Sequence, residues 1–354
     1  MGINVHVCLF LVLAVNVSLK VQGCESEAKE GTPIDVTLFR GYGEFQRPAH
    51  GGEDSKVNPV MPSTVQWTER RRIDAQTDCA LAFAKAPITT KLNSSKDEAL
   101  LKETSRVQEK VVCLYVARGY QFHAYQKGGS RFGDALKLNS MSTGGAMEWS
   151  DVELFVSVAR FLSPRNIFGV GNAFGFSTLI LSSIFDTASV DIIDCGCDGK
   201  DNVKGIDLTN RIANDEGMNI RVTRGWSPKD VPKASRSKLY ELVFLDGRHQ
   251  AENLRQDFNA ILRFMAKRCV IVCHDVHIAN GLAKMIMGRL GPEHPEFTYV
   301  NYHGVNYKNK LGTGFFFRGF SSAEAASIKS LGDVCTFSRR RKNCDKDFQK
   351  NLSP

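Results

Sequence analysis

From Trp149 onward, apolar positions follow two alternating periods. Trp149 to Leu162 carries them at helical spacing, with Ser150 placed to cap the helix and Pro164 beyond its end. Short continuous apolar runs then predict strands at Asn166–Val170, Ser189–Ile193, Asn219–Val222, Glu241–Leu245 and Cys269–Cys273. Amphipathic stretches between them predict helices at Ser177–Ile184, Val203–Glu216 and Ala251–Met265. Pro228 and Pro232 interrupt the link between the third and fourth strands, which leaves room for a short helix or a loop. A helix near Ala279–Leu290 follows, then strands at Phe297–Tyr302 and Gly314–Phe317, the last pairing with the one before it. Apolar strands alternating with helices predict an α/β fold: a doubly wound, mostly parallel sheet with helices on both faces.

The chain upstream has a different texture. Val5 to Leu19 is apolar except for His6, Asn16 and Ser18, too short for a membrane span of ~20 residues. Val21 and Gly23 before Cys24 suit a cleavage point, so residues 1–23 read as a secretory signal peptide. No Lys or Arg precedes the apolar run, and an uncut signal-anchor is the alternative. Residues 24–65 form an irregular lead-in rich in Gly, Pro, Glu and Lys. Residues 66–146 are mainly helical, clearest at Lys96–Val116, with a Gly/Ser-rich loop at Gln126–Gly145; this region is a candidate lid for an acceptor site. Residues 147–320 form the α/β domain, and 321–354 a C-terminal helix and basic tail.

Composition alters this picture little. The net charge of +8 is scattered apart from Arg70–Arg72 and Arg339–Lys342, which read as solvated runs. Without a zinc-finger spacing, an aromatic RNA-binding motif or a basic helix, nucleic acid is not the expected partner. A lumenal destination gives the ten cysteines meaning. Cys335 and Cys344 are disulfide candidates, and Cys24, Cys79 and Cys113 can also pair. Cys269 and Cys273 read as packed thiols, and Cys195-Gly196-Cys197 as too short to bridge easily. Asn93 and Asn351 open glycosylation sequons.

In an open parallel sheet, ligands bind at the carboxyl ends of the strands. The first strand here ends in Gly171-Asn172-Ala173-Phe174-Gly175-Phe176-Ser177, where glycines permit a sharp turn close to a ligand. A dinucleotide fingerprint would need a glycine at Phe174; the glycine falls one residue later, which argues against a nicotinamide cofactor. Asp194 ends the second strand where a ribose-binding acid belongs, with Asp191 as its competitor. Gly225-Trp226-Ser227 follows the third strand and could flank an adenine ring. The fourth and fifth strands end in Asp246-Gly247-Arg248-His249 and His274-Asp275-Val276-His277. Acids and imidazoles at neighbouring strand ends suit Mg²⁺, Mn²⁺ or Zn²⁺.

Taken in order, Gly-x-x-x-Gly-x-Ser-Thr from Gly171, a strand-end Asp194, Phe-Leu-Asp-Gly-x-His ending at His249, and His274-Asp275-Val276 resemble class I S-adenosylmethionine-dependent methyltransferases, in particular their small-molecule O-methyltransferase-like branch. The resemblance spans Met147 to Phe320. It implies a seven-stranded Rossmann-like sheet with a reversed last strand. The methyl donor would lie on Gly171, Asn172, Gly175, Ser177, Asp194, Ser227 and Asp246. A divalent cation, Mg²⁺ or another, would lie on Asp246, His274 and Asp275. The resemblance departs at Gly169, where the family often has an acid that helps hold the methionine end of the donor; Glu148 is a candidate substitute.

The expected chemistry is O-methylation of a small-molecule or sugar hydroxyl, with His249 or His274 as general base beside Asp246. Two rivals stay open: a nucleotide-sugar-dependent transferase on a similar sheet, and a non-catalytic secreted binding protein that kept the fold. The acceptor and the oligomeric state have no readable signature.

Overall fold

The computed structural model describes residues 95–118, 122–125, 135–138, 147, 149–197, 202–277, 281–302, 312–335 and 337. The signal peptide, the lead-in, both sequons, the two basic runs and Glu148 lie outside the described residues. The chain divides into two compact units, one containing residues 109–141 and the other residues 92–108 and 142–354. Helix α1 (Ser95–Val116) runs through the point of division and buries Leu100, Leu101, Thr104, Val107, Val111 and Leu114 on one stripe. In the first unit, β1 (Phe122–Tyr125) pairs antiparallel with β2 (Ala135–Leu138). This corrects the expectation of a loop across Gln126–Gly145: a four-residue strand set among Gly and Ser is too short to show a period.

The second unit is built on an eight-stranded sheet in the order β10-β8-β9-β7-β6-β3-β4-β5. Strands β3 (Asn166–Val170), β4 (Ser189–Asp194), β5 (Ile220–Arg224), β6 (Tyr240–Leu245) and β7 (Met265–Cys273) are mutually parallel. Strand β9 (Thr313–Arg318) runs antiparallel between β7 and β8 (Thr298–Tyr302), which is the reversed last strand anticipated from the sequence. The eighth strand, β10 (Gly332–Cys335), pairs antiparallel with β8 and corrects the count of seven. Gly332 makes this pairing possible, because a Cβ there would lie 2.0 Å from the Asn301 carbonyl oxygen.

Helices α2 (Trp149–Val158), α3 (Phe176–Ile184), α4 (Asn202–Asp215), α5 (Val231–Ser235) and α6 (Ala251–Leu262) link or cover the parallel strands. Helix α6 buries Leu254, Asp257, Phe258 and Ile261, the stripe expected of a helix lying on a sheet. It ends three residues earlier than expected because Met265 already belongs to β7. The run after β7 is α7 (Leu282–Met285), a π-helical turn (Ile286–Leu290) and α8 (Gly291–Glu293). Helix α9 (Ser322–Lys329) opens with a capping box between Ser321 and Glu324. Phe258, Phe297, Tyr299 and Phe316 fill the core, with Phe258 edge-on to Phe316 at 4.9 Å. Cys269 and Cys273 are free, buried thiols within it, as expected. No helix among the described residues is long and apolar enough to cross a membrane.

Candidate active site

The strand order reverses at β3, which has β4 on one side and β6 on the other. Its carboxyl end is the switch point where such sheets bind ligands. Gly171 sits there with φ +94°, and a Cβ would lie 2.0 Å from the Asp246 carbonyl oxygen. The turn after β3 and the turn after β6 therefore touch backbone to backbone. Gly175, at φ +92°, closes the turn and leads into α3.

Asp194 holds this turn. Its Oδ2 accepts hydrogen bonds from the N–H groups of Asn172 (2.6 Å) and Ala173 (3.0 Å), and its Oδ1 accepts one from Gly196 (2.6 Å). The Asn172 side chain ties in two helices: it accepts from Thr178 Oγ1 on α3 and donates to Thr209 Oγ1 on α4. Three of the roughly four acceptor positions of the Asp194 carboxylate are thus occupied by backbone, leaving one on Oδ1 for a ligand hydroxyl. Its competitor Asp191 is sequestered within β4 by Arg221, Lys238 and Tyr240. At Gly169, a Cβ would lie 2.4 Å from Ile192 Cδ1, so an acid there would have to displace the Ile192 side chain.

Ser227 follows β5 and donates to Asp257 Oδ1 on α6 at 2.5 Å. Asp257 is buried, and burial pushes its carboxyl up to about 6 against the lowering effect of that hydrogen bond. Trp226 beside it is exposed. Cys195 and Cys197, just after Asp194, are bridged, although their spacing reads as too short to bridge easily: Gly196, at φ +64°, turns the backbone between them.

The densest polar cluster stands at the ends of β6 and β7. His274 Nδ1 lies 3.0 Å from Asp246 Oδ1 and 3.2 Å from Asp275 Oδ1. His249 Nε2 lies 3.2 Å from Asp246 Oδ1 and 3.3 Å from Asp275 Oδ2. One ligating atom from each of the four residues lies within 4.8 Å of every other. Burial raises the Asp246 carboxyl, but the charges and hydrogen bonds of His274 and His249 outweigh it and hold the group at about 2. The hydrogen bond to Asp246 raises His249. Burial works against the His274 cation, yet Asp246 and Asp151 hold the imidazole well above its ordinary range. Asp275 is pushed up to about 6, chiefly by burial, and its backbone is left-handed at φ +57°, a strained state for a non-glycine residue.

Sequence reasoning missed Asp151. This acid on α2 is fully buried, with one oxygen 2.9 Å from His274 Nε2 and the other accepting from Thr313 Oγ1 on β9. The signal for it was there: an acid among Val152, Leu154 and Phe155 on an apolar helix has to find a partner once buried.

Residues 168–276 match the family model for a methyltransferase domain. Over that stretch the chain is similar to a methyltransferase domain. No curated protein matches it. Solved structures similar to it include an O-methyltransferase from Bacillus cereus in complex with SAH (14% identity, 70% of this chain and 100% of that one, TM-score 0.38). TomG from Streptomyces achromogenes, an O-methyltransferase involved in tomaymycin synthesis and solved with SAM, shows 13% identity over 60% and 90% of the two chains at a TM-score of 0.40. Cofactor-bound Rv0187 from MTB shows 15% identity over 64% and 98% at 0.41.

Within residues 168–276, the turn residues Gly171, Asn172 and Gly175 lead into the buried Ser177 at the start of α3, and Asp194 accepts from the turn's backbone. Asp246 adjoins that turn through the Gly171 contact and at the same time belongs to the His249–His274–Asp275 cluster. Ser227 has its hydroxyl turned to Asp257 on α6.

Proposed function

We propose that the domain transfers a methyl group from S-adenosylmethionine to a hydroxyl of a small-molecule or sugar acceptor, assisted by a divalent cation. The observation that carries this reading is Asp246: its backbone touches the glycine turn and its carboxylate belongs to the acid–imidazole cluster, so donor and acceptor sites would share one residue. Gly171, Asn172, Gly175, Ser177, Asp194 and Ser227 would hold the donor. The donor set of Asp246, His274 and Asp275 fits a divalent ion, because Asp275 Oδ1 is buried without a well-aligned hydrogen bond and faces His274. Bound there, the ion would orient the acceptor hydroxyl and lower its pKa.

His249 is the better-placed general base. Its side chain is 41% exposed, whereas His274 is committed on its far side to Asp151. His249 would take the acceptor proton at Nε2, with Asp246 steadying the imidazolium that results. Alignment of donor and acceptor supplies much of the rate. Calorimetry of the purified chain with S-adenosylmethionine tests the reading: saturable heat is expected, and none at millimolar donor would overturn it. The Asp246→Ala, Asp275→Ala double variant is expected to lose activity; unchanged turnover would remove the cation from the mechanism.

We also propose that the protein works in the secretory pathway. Bridged cysteines at Cys113, Cys195–Cys197 and Cys335 support an oxidising compartment. Glycosidase-sensitive mobility of the chain expressed in eukaryotic cells is the expected result, and an unglycosylated cytosolic product the contrary one.

A further inference from the structure

The Asp151–His274 pair bears on which ion the cluster takes. A carboxylate buried among Val152, Leu154 and Phe155 is tolerated only with partners that satisfy its oxygens. Among the partners of Asp151, two come from distant parts of the chain: Thr313 on β9 and His274 Nε2 after β7. The His274 ring is further confined by Phe244, whose centroid is 5.7 Å away in an edge arrangement. With Nε2 engaged by Asp151, Nδ1 is the nitrogen directed at Asp246 and Asp275, at 3.0 and 3.2 Å. An outer carboxylate on the far ring nitrogen is the usual way a protein orients a metal-ligating imidazole and raises its basicity.

The remaining geometry agrees. His274 Nδ1 stands 3.0 Å from Asp246 Oδ1 and 3.2 Å from Asp275 Oδ1, and these are the three donors of the proposed set. Donors bound to a common ion at ~2.0–2.2 Å stand about this far apart. Mg²⁺ favours an all-oxygen shell that includes several waters, whereas an imidazole nitrogen beside two carboxylates suits zinc and its first-row neighbours.

We infer that Asp151 is a positioning residue that commits His274 Nδ1 to the cluster, and that the resulting site, in which Asp246, His274 and Asp275 take the ion and His249 Nε2 is left to proton transfer, selects a Zn²⁺- or Co²⁺-class ion over Mg²⁺. The inference rests on the proposed reading of this cluster as a cation site. The competing arrangement is a closed hydrogen-bonded network in which protonated imidazoles simply bridge the acids.

The test uses the full chain, stripped with a chelator and titrated with Zn²⁺, Co²⁺ or Mg²⁺ by calorimetry, with Co²⁺ also followed by visible absorption. The wild type is expected to take one Zn²⁺ or Co²⁺ at least tenfold more tightly than Mg²⁺, with ligand-field bands from nitrogen coordination. Asp151→Asn is expected to weaken Zn²⁺ about 10- to 100-fold while leaving S-adenosylhomocysteine affinity within twofold. Thr313→Val, which removes only the hydroxyl that bonds Asp151, is expected to shift Zn²⁺ affinity in the same direction by less. Equal affinity for Mg²⁺ and Zn²⁺ would overturn the ion class. Unaltered Zn²⁺ affinity in Asp151→Asn, or parallel loss of Zn²⁺ and S-adenosylhomocysteine affinity, would overturn the positioning role. A wild type that binds S-adenosylhomocysteine but no ion would sink this inference and the cation together, and leave the methyl-donor reading standing.

Discussion

Three backbone N–H groups, from Asn172, Ala173 and Gly196, converge on the Asp194 carboxylate. Removing the acceptor leaves them unpaired beside a buried turn, and each such donor costs about 1–3 kcal/mol. Asp194→Ala is therefore expected to lose roughly 3 kcal/mol of unfolding free energy in urea and to abolish donor binding by calorimetry. Full stability would mean that Asn172, with its ties to Thr178 and Thr209, holds the turn alone. Asp257 makes a different prediction. Its carboxyl sits at about 6 in the folded chain, against an ordinary value of 3.8, because of burial. The folded state thus binds the proton more tightly than the unfolded one. The stability this contributes is complete below about pH 4 and lost as pH rises through 6. Asp257→Asn, which cannot ionise, should gain on the wild type across that window by on the order of 2–3 kcal/mol. Urea melts at pH 4 and pH 7.5 check it: a difference independent of pH would show that the carboxyl does not titrate in this range.

At the scale of elements, α4 approaches the glycine turn so closely that Gly205 leaves no room for a side chain: a Cβ would lie 2.0 Å from the Ala173 carbonyl oxygen. Gly→Ala inside a helix usually gains about 1 kcal/mol. Here the helix would have to back away from the turn, and Gly205→Ala is expected to cost a net ~1–3 kcal/mol and to weaken donor binding. Gly288 is the control, since a Cβ added there would meet nothing within 4 Å and its φ is not positive; Gly288→Ala should be neutral or slightly stabilising in the same thermal melts. The contrast also shows what a sequence reveals about elements. The parallel strands were legible because burial on both faces writes them as apolar runs, as in Val-Asp-Ile-Ile-Asp and Glu-Leu-Val-Phe-Leu. Strand β10, with Gly332 and Asp333 among four residues of which only Cys335 is buried, has no such run, and its pairing with β8 is decided by tertiary contact. The strand-end residues Asp194, Asp246, His274 and Asp275 were legible from their place at the ends of those runs. The partners of Asp151 and Asp257 were not, since they lie 123 and 30 residues away in the chain.

Across the whole sheet, the site and the β10 edge lie apart. The glycine turn and the acid–imidazole cluster stand at the ends of β3, β6 and β7, while β9 and β8 separate β7 from β10. Strand β8 reads Thr-Tyr-Val-Asn-Tyr, with Tyr299, Val300, Asn301 and Tyr302 buried. Without β10 it would present a flat, aromatic-rich edge with open backbone donors and acceptors, the kind of edge that recruits a second chain. Ending the chain after Phe320 removes α9 and β10 together, and the truncated protein is expected to self-associate and to melt at a lower temperature. Tyr302 still bonds Glu153 on α2 and β9 still pairs with β7, so the sheet around the site should survive. The soluble fraction should then bind S-adenosylhomocysteine with affinity close to that of the full chain. Size-exclusion chromatography with light scattering, followed by calorimetry on the monomer peak, separates the two effects. Lost affinity in a folded monomer would mean that the β10 edge supports the site through the sheet, whereas aggregation with intact affinity would assign α9 and β10 the task of closing the edge.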